Sequence, residues 1–407
     1  VSKIKKMQVS LADIQEARVR LKNVILPTAI DLSSSASKLM GSDIFFKLEN
    51  TQKTGSFKIR GAYNKISQLT EEEKARGVIA SSAGNHAQGV ALSATLARVK
   101  STIVMPVTAP LAKVLATRSY GAEVIQHGEI YDEAFEKAQE LAQSRGLVFI
   151  PPYEDERVIA GQGTIGLEVF EQIPNLDTIV VPIGGGGLIS GIAIAAKALN
   201  PKIKIIGVQS SQAPGMSEMF HHKHLSAPPR RISTIADGIA IKKPSQAMYE
   251  NFISRYVDEI VTVTDDEIAE GLVFLLERVK TVTEGSGAAG WAAVMNRTLP
   301  LGSKTCVILC GGNIDLNIVA KIIEKGQIRR GRLVQLSVIV EDIPGRLHQL
   351  TEIIARERAN ILQVHHDRVS EGLFLRETRI DFELETSSLE HIEAIQKAIV
   401  RIGGRLV

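Results

Sequence analysis

Cysteine is scarce in this chain: two residues in 407, Cys306 and Cys310. They stand four positions apart in the strand-like run 305–310, and four residues of strand span roughly 13 Å, beyond the reach of a disulfide. A disulfide-stapled scaffold is thereby excluded, and a reducing, cytoplasmic setting is expected. Also lacking is any apolar run of the ~18 residues that a membrane-spanning helix needs. The first twenty residues, VSKIKKMQVSLADIQEARVR, alternate charged with apolar side chains and hold no signal-peptide core. Nor is there charge of one sign to spare. With 48 basic and 45 acidic side chains the net charge is +3, which gives no footprint for nucleic acid. The one basic cluster, Arg329, Arg330 and Arg332, is short enough to be a solvated linker.

What is present is length and alternation. A chain of 407 residues implies two or three domains. Over residues 43–313, strand-like and helix-like segments follow one another. Strands are predicted at 78–81, 101–106, 122–126, 147–150, 178–183 and 204–209, and helices at 85–97, 111–120, 131–144 and 188–199. Runs such as IVMPV, IVVPI and CVILC are apolar throughout, as in parallel strands buried on both faces. The pattern predicts a doubly wound α/β fold of two open-sheet subdomains, the smaller (about 46–152) inserted in the larger. Two stretches, VIASSAGNHAQGVALSATLA and TIVVPIGGGGLISGIAIAAKAL, share one design of strand, small-residue loop and helix. They are read as equivalent corners facing one cleft, at the carboxyl ends of strands where open α/β sheets bind ligands.

The first domain is expected to run over 1–326, with a basic, Gly-flanked linker at 327–332 and a separate domain at 333–407. There, a strand at 333–340 leads into the turn Asp342-Ile343-Pro344-Gly345, and Leu347, Leu350 and Ile354 mark a helical stripe. A second strand begins at 361. In a third, Ile380, Phe382 and Leu384 alternate with Asp381, Glu383 and Glu385. Ser387 with Glu390 forms a capping box, and a second helix, lined by Ile392, Ile395, Ile399 and Ile402, stops at Gly403-Gly404. The order βαββαβ predicts a ferredoxin-like unit.

Two segments carry chemistry. In the first, Gly184, Gly185, Gly186 and Gly187 separate a strand from an apolar helix. Their N–H groups are unshielded, and the helix N-terminus adds a positive dipole end, which suits a phosphate. A plain glycine-rich turn is an equal reading of that segment alone. In the second, TQKTGSFKIRGAYNKI, Lys58 lies between Gly55 and Gly61 with Ser56 as a plausible N-cap. The dipole there lowers the amine's pKa, and a neutral amine is what forms a Schiff base with an aldehyde. Taken alone, a surface lysine is the plainer reading.

Four ordered motifs, SFKIRGA, SSAGNHAQG, GGGGLISG and CGGN, together resemble the serine/threonine dehydratases. These are pyridoxal-phosphate enzymes of the tryptophan-synthase-β-like group, and the resemblance covers residues 20–320. The tail, centred on DIPGRL, resembles an ACT domain, a small-molecule sensor. The first resemblance implies that Lys58 carries pyridoxal phosphate as a Schiff base and takes the substrate's Cα proton. It also implies that Phe57 packs on the pyridine ring, that Asn85 bonds the ring hydroxyl, and that Gly184 to Leu188 bind the phosphate. Gly238 and Glu284 would border the ring, and Cys310 would face the pyridine nitrogen. A thiol there need not keep that nitrogen protonated, so the cofactor is a weaker electron sink and loss of a β-substituent competes with transamination. A buried strand cysteine that simply packs is the alternative for Cys310.

The loop Ser81, Ser82, Ala83, Gly84, Asn85, His86 would receive the substrate carboxylate, with His86 an interior hydrogen-bonded residue. Related serine racemases carry a serine at the position of Ala83, so alanine favours elimination. Gln209 stands where a cation-binding relative would carry glutamate, and no metal site is expected. Lys53, Thr54 and Gln88 match a nucleotide site of some relatives but also flank the active-site motifs. The implied activity is conversion of L-threonine, and more slowly L-serine, to a 2-oxo acid and ammonia. The alternatives are an L-serine dehydratase or serine racemase-like enzyme, a β-replacement enzyme resembling cysteine synthase, and a non-catalytic amino-acid sensor. The ACT resemblance implies domains that pair edge to edge and bind an isoleucine or valine effector at the interface, near Asp342, Pro344, Gly345, Leu347, Asn360 and Ile361, in a homodimer or homotetramer. An oligomerisation unit with an empty site is the competing reading of the tail.

Overall fold

The computed structural model describes residues 6–227, 232–296, 299, 301–369 and 372–407. The chain divides into two units, Val1–Ile314 and Asp315–Val407.

The first unit holds two sheets. In the smaller, strands lie in the spatial order Glu123–Gln126, Ser101–Met105, Val78–Ser81, Val148–Phe149, all parallel. Side chains alternate across a strand, and here each face meets its own core. Val78, Ala80, Ile103 and Met105 pack with Ala62, Ile66, Ala87 and Val90, while Ile79 and Val104 pack with Ala134, Ala138 and Leu141. Helices therefore cover both faces, which is why these strands read as apolar runs rather than alternating ones. The larger sheet runs Ile30–Leu32, Asp43–Lys47, Lys304–Ile308, Thr178–Pro182, Lys204–Ser210, Glu259–Val263, with only the first pair antiparallel. In chain order the smaller sheet falls between the Asp43–Lys47 and Thr178–Pro182 strands of the larger one.

The helix Lys58–Ile66 crosses the helix Glu156–Gln172 with backbones almost touching. A Cβ on Gly161 would lie 2.5 Å from Arg60 O, and one on Gly61 would lie 2.7 Å from Val158 O. The same crossing is tied by a buried ionic cluster. Arg60 and Glu49 are fully buried and paired at 2.7 Å, and Glu168 bridges Arg60 and the buried Lys47 at 2.6 Å each. Buried charges survive only when paired and hydrogen-bonded, and this set satisfies itself. Ser56 does not cap the helix as the sequence suggested. The N-cap position is Phe57, without a side-chain cap, because Ser56 is drawn into a bridge with Gly311.

The second unit begins with the helix Leu316–Arg329. The expected linker at 327–332 is thus corrected: its first three residues close a helix that the basic composition hid. Strands then follow at Leu333–Glu341, Asn360–Asp367, Glu377–Glu385 and Arg405–Leu406, with helices Arg346–Arg356 and Leu389–Arg401 in the order βαββαβ. The sheet is antiparallel, with Asn360–Asp367 at one edge and Arg405–Leu406 at the other. Ile380, Phe382 and Leu384 face a core with Leu350, Ile354, Ile395 and Ile399. The second helix is capped one residue later than expected, by Ser388 Oγ accepting from His391 N, since Ser387 turns its hydroxyl to the His391 ring. Its far end stops as predicted: Gly403 has φ +88, and the Gly403 and Gly404 N–H groups donate to Val400 O and Ile399 O.

Candidate active site

The carboxyl ends of three strands, Val78–Ser81, Thr178–Pro182 and Lys304–Ile308, open onto a cleft of about 680 Å³. Every cofactor and substrate candidate from the sequence lines it: Phe57, Lys58, Ser81, Ser82, Ala83, Gly84, Asn85, His86, Gly184 to Leu188, Gly238, Glu284 and Cys310.

Lys58 is the first residue of its helix, and its Nζ donates to Pro152 O at 3.1 Å. Burial pulls its pKa down from 10.5 to about 8, against the opposing pull of Cys310 and Glu284. The direction matches the sequence reading; the chief cause is loss of solvent rather than the helix dipole. The Phe57 ring lies beneath, with Nζ 5.2 Å from its centroid, and Phe57 N donates to Cys310 O. Backbone pairing thus brings the lysine and cysteine segments together although 252 residues separate Lys58 and Cys310 (310 − 58).

The glycine run turns directly into the helix Gly187–Leu199. Gly186 takes φ +95, which favours glycine. At Gly185 the reason is space: a Cβ would sit 2.1 Å from the Tyr153 ring. Tyr153 was missed by sequence reasoning, because no local pattern marks a ring that packs on a loop 32 residues away.

His86 is buried, and its Nε2 lies 2.9 Å from Ile150 O. A carbonyl only accepts, so Nε2 carries the proton. Burial, reinforced by Lys58, holds the ring pKa down near 3; the ring is neutral and fixed. The loop's own N–H groups are partly engaged, with Ser82 N donating to Val104 O and Gly84 N to Ser82 Oγ. Ser81 Oγ and Ser286 Oγ are buried without a partner, and Ser286 is a second lining residue the sequence reading overlooked. Glu284 is pushed up to about 8 by burial and by Asp237, so it holds a proton at neutral pH. Burial likewise raises the Cys310 thiol far above its ordinary range, and it stays neutral. At the mouth, Lys113 pairs with Asp237 at 2.9 Å and Lys242 with Asp132 at 2.6 Å.

A half-buried amine that lines one cleft with a glycine-lined helix N-terminus is an arrangement that suits a phosphorylated aldehyde, and comparison with known families agrees. The model for "Pyridoxal-phosphate dependent enzyme" matches residues 21–311. The chain belongs to the pyridoxal-phosphate dependent enzymes. Among its relatives, an L-threonine ammonia-lyase from Thermotoga maritima is 48% identical over 97% of this chain and 98% of its own length. A catabolic L-threonine dehydratase from Escherichia coli is 47% identical over 78% of this chain and 96% of its own. The solved structure of maize serine racemase superposes with a TM-score of 0.73 at 34% identity, covering 79% of this chain and 99% of that one. Pyridoxal phosphate is the cofactor of this enzyme, and the residues fit it. Lys58, an amine of the kind that takes an aldehyde, lines the same cleft as Gly184 to Leu188, where the start of the helix Gly187–Leu199 offers N–H groups of the kind that suit a phosphate.

The remaining sequence candidates lie elsewhere. Gln209 is buried, and its Oε1 accepts from Ser217 N at 2.8 Å; among the described residues no group of three His, Cys, Asp or Glu side chains could hold a metal ion. No described helix is long and apolar enough to cross a membrane. In the second unit the six effector candidates are not brought together within one chain. Asp342, Pro344, Gly345 and Leu347 cluster where Glu341 pairs with Glu377, whereas Asn360 pairs with Glu385. These two places are eight positions apart along the Glu377–Glu385 strand, roughly 26 Å at about 3.3 Å per residue.

Proposed function

We propose that this enzyme is a threonine ammonia-lyase, converting L-threonine to 2-oxobutanoate and ammonia, with L-serine as a slower substrate. The observation that carries this reading is the 48% identity to an L-threonine ammonia-lyase along nearly the whole of both chains. Pyridoxal phosphate, when bound, supplies the electron sink that makes the amino acid's Cα–H acidic. This chain's residues do the rest. The Lys58 amine holds the aldehyde and takes the Cα proton, and burial keeps enough of it neutral for both tasks. The N–H groups of Gly184 to Leu188 bind the phosphate, Phe57 flanks the ring, and Asn85 faces the ring hydroxyl. Ser81, Ser82 and Gly84 receive the substrate carboxylate. Gly238 and Glu284 border the ring.

Two features favour elimination over its competitors. Cys310 is a neutral thiol, so it does not hold the ring nitrogen protonated as a carboxylate would. Ala83 puts a methyl group, not a hydroxyl, at its place on the cleft wall, with no proton to return to the opposite face of Cα. Release of 2-oxobutanoate from L-threonine by the purified chain tests the reading. Lys58→Ala is expected to lower turnover by at least about a thousandfold; near wild-type turnover by that variant rules the assignment out.

The second unit is read as an ACT domain that senses isoleucine or valine. Its edge strand Asn360–Asp367 leaves Leu362 and Val364 exposed. Two copies pairing antiparallel along that edge would bring the Asn360 end of one against the Asp342 end of the other. That pairing would unite the six candidates that one chain keeps apart.

A further inference from the structure

One polar chain runs from the buried Thr54 through the half-buried Asn313 and Asn85 to the buried Glu284 at the cleft wall, and it has a fixed direction. Asn313 Nδ2 donates both to Thr54 O and to Asn85 Oδ1, each at 2.7 Å. Asn85 Nδ2 in turn donates to Glu284 Oε1 at 2.7 Å. An asparagine amide can face either way, and its two ends differ in electrostatic sign. What breaks the ambiguity here is the far end of the chain. Thr54 O is a backbone carbonyl and can only accept, so Asn313 must turn its NH₂ toward it. Both N–H groups of Asn313 are then spent, one on Thr54 and one on Asn85. Asn85 must meet the second with its carbonyl oxygen and turn its own NH₂ toward Glu284 and the cleft.

The surroundings hold this arrangement in place. Thr54 sits at φ +63, outside the usual range for a side-chain-bearing residue, and is followed by Gly55 at φ +69. A Cβ on Gly55 would come within 2.4 Å of Asn313 Oδ1, so glycine is what lets Asn313 lie against this turn. Thr54 is buried, so loss of Asn313 would leave its carbonyl without the partner that fixes the chain.

We infer that Asn313 is a positioning residue. It sets the orientation of the Asn85 amide so that an N–H, not a carbonyl oxygen, faces the cofactor's ring hydroxyl. Asn313 touches neither substrate nor cofactor; it acts through Asn85. The inference rests on the assignment of Asn85 to that hydroxyl made above.

A double-mutant cycle in the full chain tests it. The four proteins are wild type, Asn313→Ala, Asn85→Ala and the double variant. Each is stripped of cofactor and retitrated with pyridoxal phosphate, reading the dissociation constant and the visible absorption spectrum. Asn313→Ala is expected to weaken binding about tenfold and to alter the spectrum in the wild-type background. In the Asn85→Ala background it should change neither by more than about twofold, because the amide it orients is gone. The same fold loss in both backgrounds would mean an independent structural role and overturn the inference, as would no loss in the wild-type background. Where Asn313→Ala does not fold, the near-isosteric Asn313→Asp replaces it, with the same outcomes expected. Threonine turnover by the wild type is measured alongside. Turnover with an additive cycle removes this inference alone, whereas absent turnover removes the proposed function and leaves the binding cycle readable.

Discussion

Lys58 shows how much chemistry one residue can disclose and where that disclosure ends. Its place among glycines at a helix start was legible in the sequence, and so was the direction of its pKa shift. The cause was not, because burial depends on residues brought in from distant strands. The shift has a kinetic consequence. The amine is mostly protonated below about 8 and mostly neutral above it, and only the neutral form attacks an aldehyde. The rate at which stripped enzyme regains its cofactor colour should therefore rise with pH up to about 8 and level off above. A rate still climbing toward 10.5, the ordinary lysine value, would mean a solvated lysine. Asn313 and Tyr153 mark the limit of reading at this scale. Asn313 meets Asn85 across 228 positions, and Tyr153 packs against Gly185; neither contact leaves a local pattern.

At the scale of elements, buried parallel strands were easy to place because both faces are apolar, and the small-sheet strands fall within a residue or two of their expected bounds. What escaped were features decided by partners. Ser56 gives up its cap to pair with Gly311. Ser388, not Ser387, starts the last helix. Residues 327–329 continue a helix instead of linking domains. The glycine loop was legible as a strand-to-helix turn, but only the structure supplies the steric reason at Gly185. Gly185→Ala forces a methyl group into the Tyr153 ring, an overpacking that costs about 1–3 kcal/mol. Equilibrium titration of the stripped variant should show cofactor binding weakened by about tenfold or more, with a lowered melting temperature. Wild-type affinity would show that Tyr153 yields at no cost and that the loop is not shaped by it.

For the whole molecule, the sequence reading placed a boundary at 326, whereas the second compact unit begins at Asp315. The effector candidates were read as an interface site, and strand register, invisible in the sequence, sets Asp342 and Asn360 at opposite ends of the sheet. Pairing of two copies along the edge strand would repair that, and it makes a prediction. Gln363→Pro, which removes a backbone donor from the edge strand Asn360–Asp367, should lower the molar mass seen by sedimentation and abolish any response to isoleucine. Cofactor binding should remain. An unchanged mass together with an intact isoleucine response would remove the edge-pairing account.

The central claim is that this cleft deaminates threonine under the control of a sensing tail. The decisive measurement is the initial rate of 2-oxobutanoate release from L-threonine by the purified full chain, titrated with L-isoleucine. Turnover that depends on Lys58 and falls as isoleucine saturates is the expected result. No 2-oxobutanoate at any threonine concentration from protein that carries its cofactor would contradict it.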